Sequence, residues 1–524
     1  MTRYLGITMG PILRSLMMGV RPKELFTASY LHSLLSKEAI RTLDRIKCNI
    51  ISPAFDLSAS PVGVGMYPDR IFVKYGSGVA PADMKKLRDR IMDTFIEKLE
   101  VKDVERQSFI KAYFKIYMVE VEREKDSEAV NDLNLMLDEL ELNNVFPAED
   151  CKGSNVIEDI IVNPIDNPVW KDAFNKDSFV FAEKQGGRLV PFPDLKKIAL
   201  NKKNGVSKSY QKYVCVVQAD GDNMGKIVGN VDQLGDGLGI QQVSSDIFDF
   251  CKVATHIIRT GHFDAATYSA SSKKYLDNIS ASNKDCVGLP IYAGGDDLLF
   301  VAPVVYEDGQ GQVNTIFDLL NHLDAAYSMI VAKKRTVTVD QEAYSTHLSY
   351  GISIAYYKRP LYESLEEARN QLFCVAKEAY NRHKNCIAWK LSKHSGSSHY
   401  GVLPKDSGLY DRFKDLLKFR AEDGIPDGSA EVVTAVCHKI RNAANLIPVF
   451  AASDRAMMSL RLQAFFDNIL DTDEDMSNKD EYIVAVKELM LALWNEQTPD
   501  LAAVSYDLLR TGRFICGWDE LHEN

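Results

Sequence analysis

Residues 289–303, Leu-Pro-Ile-Tyr-Ala-Gly-Gly-Asp-Asp-Leu-Leu-Phe-Val-Ala-Pro, constrain this chain more than any other stretch. Two apolar runs flank two glycines and two adjacent carboxylates, the layout of a β-hairpin that holds Asp296 and Asp297 at the lip of a sheet. Glycine supplies positive φ at such a turn, and the missing Cβ at Gly294 and Gly295 lets a phosphate or ribose approach the backbone. Two acids have no packing reason to sit between strands this apolar, and holding a divalent cation against phosphates is the use that fits them. For the hairpin alone, an ordinary polar turn explains the residues as well.

A second segment changes that balance. Tyr213-Val214-Cys215-Val216-Val217-Gln218-Ala219 is short, apolar and rich in β-branched residues, so it reads as a buried strand. It runs into Asp220-Gly221-Asp222-Asn223-Met224-Gly225-Lys226, and the carboxyl ends of strands are where an α/β sheet keeps its chemistry. Asp220, Asp296 and Asp297 are therefore the candidate catalytic residues and ligands of one or two Mg²⁺ or Mn²⁺ ions. Neighbouring strand residues face opposite ways, so both hairpin acids can be direct ligands only if the turn distorts. Gly221 to Gly225 open the next helix, whose free N–H groups suit a triphosphate; Asp222, Asn223 and Met224 thus join the glycines as nucleotide-binding candidates. A calcium loop beginning at Asp220 fails, because its fifth and twelfth positions are Met224 and Val231.

The 524 residues suit three or four domains, and 46% hydrophobic content allows substantial cores. The 62 basic and 73 acidic residues leave a net charge of −11, which argues against a free-standing RNA- or DNA-binding protein. Lys196, Lys197, Lys202, Lys203, Lys208 and Lys212 form a local basic stretch, read either as a solvated linker or as a contact with phosphates. The nine cysteines include no Cys-x-x-Cys, so neither a zinc ribbon nor a disulfide framework is readable. No apolar run reaches membrane-spanning length and no signal peptide is evident, so a cytoplasmic protein without membrane contact is expected.

The expected fold class is α+β, in three parts. In residues 206–400 the strand to Asp220 precedes a helix near Gln241 to Arg259, capped by Ser244 or Ser245. The acidic hairpin comes next, succeeded by a helix near Val313 to Lys333, a strand Ser349 to Ala355, a helix from about Glu363 to Arg382 and a strand Cys386 to Leu391. This is the β-α-β-β-α-β order of a ferredoxin-like unit. Residues 1–205 read as a degenerate copy: a strand Tyr4 to Thr8, a helix Glu24 to Ser36, a hairpin Val62 to Val73, a helix Ala82 to Leu99, a strand-like Phe109 to Val121 and a helix Asp126 to Glu141. Its hairpin turn carries one acid, Asp69, which either faces a shared cleft and a second substrate or bonds its own backbone. Residues 401–524 are helical by pattern, with an acidic loop Asp471 to Asp475. They read as a docking bundle or a plain cap.

Ala219-Asp220-Gly221-Asp222-Asn223-Met224-Gly225-Lys226 with Gly294-Gly295-Asp296-Asp297 resembles the second palm domain of the large CRISPR polymerase subunit of type III CRISPR effector complexes. Tyr4 to Pro11 with Glu24 to Leu31 is similar to the first palm domain of the Cmr (III-B) branch. The resemblance implies two palm domains resembling nucleotide cyclases and a C-terminal helical domain. It also implies ATP as substrate, and partnership with other effector subunits, guide CRISPR RNA and target RNA, whose pairing switches the activity on. Lys377 matches a phosphate-binding lysine of related cyclases, or is a solvent-facing helix lysine. None of the ten histidines precedes an Asp, so the family's histidine–aspartate nuclease is expected to be missing. The implied product is cyclic oligoadenylate; transfer of AMP to S-adenosylmethionine at the same site is the alternative, and a catalytically idle scaffold is a second. A diguanylate cyclase, sharing the palm, would favour a Gly-Gly-Asp/Glu-Glu-Phe turn and act as a homodimer.

Overall fold

The computed structural model describes residues 2–57, 64–75, 83–142, 155–162, 182–185, 188–191, 194–200, 208–235, 238–277, 279, 286–308, 311–333, 335–382, 384–421, 428–452, 454–469 and 479–519. In its first part, β1 (Thr2–Gly10), α1 (Pro22–Arg45), β2 (Asn49–Ser52), β3 (Ile71–Lys74), α2 (Met84–Lys98), α3 (Val104–Tyr113), β4 (Lys115–Arg123) and α4 (Asp126–Glu141) succeed one another. The strands lie in the order β2-β3-β1-β4. The strand-like Phe109 to Val121 is corrected: Phe109, Ile110 and Tyr113 are the buried stripe of α3, and the strand begins only at Lys115.

The second part contains β5 (Tyr213–Gly221), α5 (Ile240–Thr260), β6 (Leu289–Gly294), β7 (Asp297–Pro303), α6 (Ile316–Tyr327), β8 (Leu348–Tyr356), α7 (Leu361–Asn370), β9 (Cys386–Ser392) and β10 (Ser398–Pro404). Its sheet runs β10-β9-β8-β5-β7-β6, so β8-β5-β7-β6 repeats, in the same spatial order, the β4-β1-β3-β2 of the first part. Two ferredoxin-like units are thus present, the second lengthened by β9, parallel to β8, and by β10. Helix α5 starts at Ile240 behind Gly239; Ser244 is not a cap but accepts the Ala54 N–H at 2.6 Å, tying the two units together. From residue 409 onward the described residues are helical, ending in Leu501–Ile515, whose Thr511 hydroxyl accepts the buried Trp389 indole N–H at 3.2 Å. The acidic loop Asp471 to Asp475, Lys202, Lys203, and Val62 and Gly63 of the expected first hairpin lie outside the described residues. No helix among the described residues is long and apolar enough to cross a membrane.

Two local departures shape the site. First, the partner of β3 is β2, not the segment before Asp69. Residues 65–68 instead run beside β6: Gly65 bridges Tyr292, and the Ala293 N–H bonds the Gly65 carbonyl at 3.1 Å. Second, the helix expected to continue to Arg382 stops being α-helical at Asn370 and becomes a π-helix over Gln371–Ala376, with Tyr380 and Asn381 left-handed beyond it. This helix lies directly on β8 at Gly351, where a Cβ would stand 2.2 Å from the Ala368 carbonyl oxygen and 2.3 Å from the Leu372 nitrogen. π turns widen a helix and re-aim the side chains after them, here Lys377. Gly351→Ala should overpack this contact and cost about 1–3 kcal/mol in a urea titration.

Candidate active site

Strand β5 is buried along its length between β8 and β7, as its Val-rich sequence requires. It pairs with β7 from Val214↔Pro303 to Ala219↔Leu298, and the Gly221 N–H then bonds the Asp296 carbonyl at 3.2 Å. Continuing that register sets Asp220 directly opposite Asp297 as a non-hydrogen-bonded pair, with Cβ atoms ~4.5–5.5 Å apart on one face. Asp296, one residue earlier, goes to the other face. A Cβ on Gly221 would sit 2.7 Å from the Asp296 Cβ and 2.7 Å from the Tyr327 hydroxyl. The structure therefore separates the two hairpin acids: Asp297 lies with Asp220, and Asp296 under Gly221 beside Tyr327.

Gly294 pairs with Asp297, and the turn residues are Gly295 and Asp296. Only Gly295 has positive φ, at 64°. Nothing but the Pro68 Cβ, at 3.7 Å, lies near the position of its missing side chain. At Gly294 the expected open space is occupied instead: a Cβ would meet the Tyr292 hydroxyl at 2.5 Å and the Met66 carbonyl at 3.0 Å. Gly294 is needed so that the first unit can close against the hairpin.

The Lys377 ammonium forms an ion pair with Asp220 Oδ2, both side chains being mostly buried. Burial, and next the charge of Lys384, pull the Lys377 pKa down to about 8. Lys384, which nothing in the sequence pattern marked, donates to Asn223 Oδ1 at 3.0 Å. Asn223 is left-handed (φ 58°) and also donates from Nδ2 to the Ser345 carbonyl at 3.0 Å. Its neighbour Asp222 is buried, accepting from the Ser349 hydroxyl at 2.7 Å and the Asn385 N–H at 2.8 Å. Both bonds fall on Oδ2 and help hold the turn, while Oδ1 is buried without a hydrogen-bond partner. Met224 is buried, Gly225 is exposed, and the helix they open, Met224–Gly229, has only six residues, too short to contribute much dipole.

Burial holds the Asp297 pKa well above the usual carboxylate range, with the charges of Asp296 and Asp69 adding to it. Burial and then Asp222 raise Asp296 to about 6, against a bond from its own backbone. Asp69 is raised to about 6 by burial, opposed by Arg70, reinforced by Glu141 and eased by its own backbone N–H. Asp69 thus bonds its own backbone and also lies within electrostatic range of Asp297. The Tyr292 hydroxyl, missed in the sequence, is pushed up by burial and then by Asp297 and Asp69, which places it on the same face. Asp220 and Asp297 offer oxygen donors of the kind a hard divalent ion such as Mg²⁺ or Mn²⁺ takes, though among the described residues no three His, Cys, Asp or Glu side chains cluster as a metal site. Of the basic stretch, Lys196 and Lys197 lie on the short helix Leu195–Leu200. Lys208 packs near Gly517, and Lys212 sits at the entry to β5.

Residues 213–388 match the family model described as Cas10/Cmr2, second palm domain. The CRISPR system Cmr subunit Cmr2 of Pyrococcus furiosus is 29% identical over 196 residues, 37% of this chain. The match spans only 20% of that relative's length. Among solved structures, a type III-B Cmr-beta complex bound to cognate target RNA aligns over 91% of this chain and 80% of its own, at 12% identity and TM-score 0.52. A Csm1–Csm4 cassette in complex with cA4 aligns over 96% of this chain and 70% of its own, at 13% identity and TM-score 0.51. At those identities the two structures speak for the fold. Residues 213–388 are thus similar in sequence to the second palm domain of Cas10/Cmr2 proteins, and the chain shares the fold of the two structures.

Proposed function

We propose that this protein is the palm-domain subunit of a type III-B CRISPR effector complex and acts as a metal-dependent nucleotidyltransferase on ATP. It works with other effector subunits, guide CRISPR RNA and target RNA, the pairing of the two RNAs switching it on. The observation that carries the reading is the opposed pair Asp220 and Asp297 on one face of the second palm, with the Lys377 ammonium held on Asp220. The second-palm match supports a nucleotide-handling site, and the cA4-bound relative of the same fold supports an adenylate product.

Asp220 and Asp297 would hold the divalent cation, which when bound supplies Lewis-acid polarisation of the α-phosphate. The chain's own residues do the rest. Lys377, whose ammonium stands on Asp220, would be placed to neutralise negative charge developing on the phosphates. Lys384 holds Asn223 and fixes the turn after Asp220. Gly295 gives the nucleotide the uncrowded approach that Gly294 does not. Asp296, on the far face, supports the turn beside Tyr327 and is at most an outer partner of the cation.

The product we favour is cyclic oligoadenylate. Transfer of AMP to S-adenosylmethionine is kept as a second reading because Asp69 lies near Asp297, where a carboxylate can meet an amino group. Mass spectrometry of reconstituted, target-bound complex given ATP with and without S-adenosylmethionine distinguishes them: adenylate rings in both arms support the first, an adenylylated conjugate in one arm the second.

Asp297→Ala and Asp220→Asn should each lower product formation by about 10²-fold or more, with assembly intact, and Asp296→Ala should cost distinctly less. Wild-type turnover in the Asp297 variant would end the assignment.

The pH dependence has a definite sign. Asp69 and Asp296 titrate near 6 in the folded chain and lower once unfolded, so without metal the fold is penalised as pH rises from about 4 through 6. Mg²⁺ needs the ionised Asp297 carboxylate, whose pKa is held well above the usual carboxylate range, so its affinity, read by calorimetry, should climb as pH rises beyond that range.

A further inference from the structure

A polar cleft of about 270 Å³ opens on the face of the second palm opposite Asp220, between α6, the loop before β8 and residues 405–414. We propose that it binds a nucleoside, adenosine by its chemistry, at a site separate from the carboxylate pair. Volume comes first: ligand pockets commonly run ~300–1,000 Å³, and this one suits a base with its sugar rather than a whole nucleotide triphosphate.

Charge comes second. The lysines at the cleft are already paired, Lys405 with Asp324 at 2.6 Å and Lys414 with Asp411 at 2.9 Å. Burial and then the Lys405 charge hold the His347 pKa below its usual value. A wall so balanced does not attract phosphate. What it does offer is hydrogen bonding. Asn321, Asn385 and Ser328 line the cleft, and among the described residues no hydrogen bond engages their side chains. Asp324 spends only Oδ1, on Tyr350 at 3.0 Å and on Lys405, leaving Oδ2 to accept. Amides beside a carboxylate oxygen match the donor and acceptor edge of adenine, whose exocyclic amine seeks an acceptor and whose ring nitrogen seeks a donor.

The cleft wall is also the support of the catalytic turn. The His347 carbonyl accepts the Asp222 N–H at 2.7 Å, and the Asn385 N–H reaches the Asp222 carboxylate. The Tyr327 hydroxyl, bonded to Thr346 at 2.7 Å, stands against Gly221 and Asp296. An occupant that orders His347 and Asn385 therefore orders the turn that carries Asp220.

The test uses the full chain and adenosine alone, which has no phosphate to engage a metal site, by calorimetry and by amide hydrogen exchange. Saturable binding is expected in the wild type and in Asp297→Ala, weakened about tenfold or more by Asn321→Leu or Ser328→Leu, both in the cleft lining. Adenosine should slow exchange at the Asp222 amide. The proposal is overturned by absence of saturable binding to folded wild type up to about 1 mM. It is equally overturned if binding is lost in Asp297→Ala and kept in Asn321→Leu, or if binding leaves Asp222 exchange unchanged. None of these outcomes bears on nucleotidyl transfer, which the Asp220 and Asp297 variants test by themselves.

Discussion

The antiparallel ladder between β5 and β7 sets Gly221 against Asp296 and, one step earlier, Asp220 against Asp297. A slip of one residue would exchange the faces of every side chain on β7. Asp297 would then sink toward α5, and Leu298 would take its place opposite Asp220. Apolar residues at Val301, Phe300 and Leu298, all buried, make that slip costly, so the core of the second palm fixes where its acids stand. The absence of a side chain at Gly221 is part of the same arrangement, because Asp296 fills that space.

Around this ladder the charges are distributed unevenly. Asp222 is held through Oδ2 by Ser349 and Asn385, and Asp220 pairs with Lys377, while Asp297 lies within electrostatic range of Asp296 and Asp69. Partly buried carboxylates beside like charges resist ionisation.

Much of this was legible in the sequence where period and turn chemistry decide. The Val-rich run to Asp220, the Gly-Gly turn and the apolar stripe of α5 gave strands, hairpin and helix to within a few residues. The ferredoxin-like order came from them, in both halves. The illegible parts depended on contacts between distant segments. Nothing local says that Gly294 is needed against Met66, that Ser244 serves Ala54 instead of capping a helix, or that Lys384 holds Asn223. The π turn before Lys377 was invisible because its residues keep a helical pattern; its setting is the side-chain-free contact at Gly351 across the sheet. Phe109 to Val121 misled because a helix and a strand share one apolar run, with only Phe114 between them.

The strip of first-palm backbone at Gly65 and Met66 has a mechanical consequence. It is hydrogen-bonded to Ala293 and pressed on Gly294, so it acts as a seventh, makeshift rail along the sheet edge beside the acidic turn. The hairpin cannot tilt without dragging that rail, and the rail joins β2 to β3. Force applied to the amino-terminal half is thereby transmitted to the carboxylates through peptide groups alone, with no side chain needed as a lever.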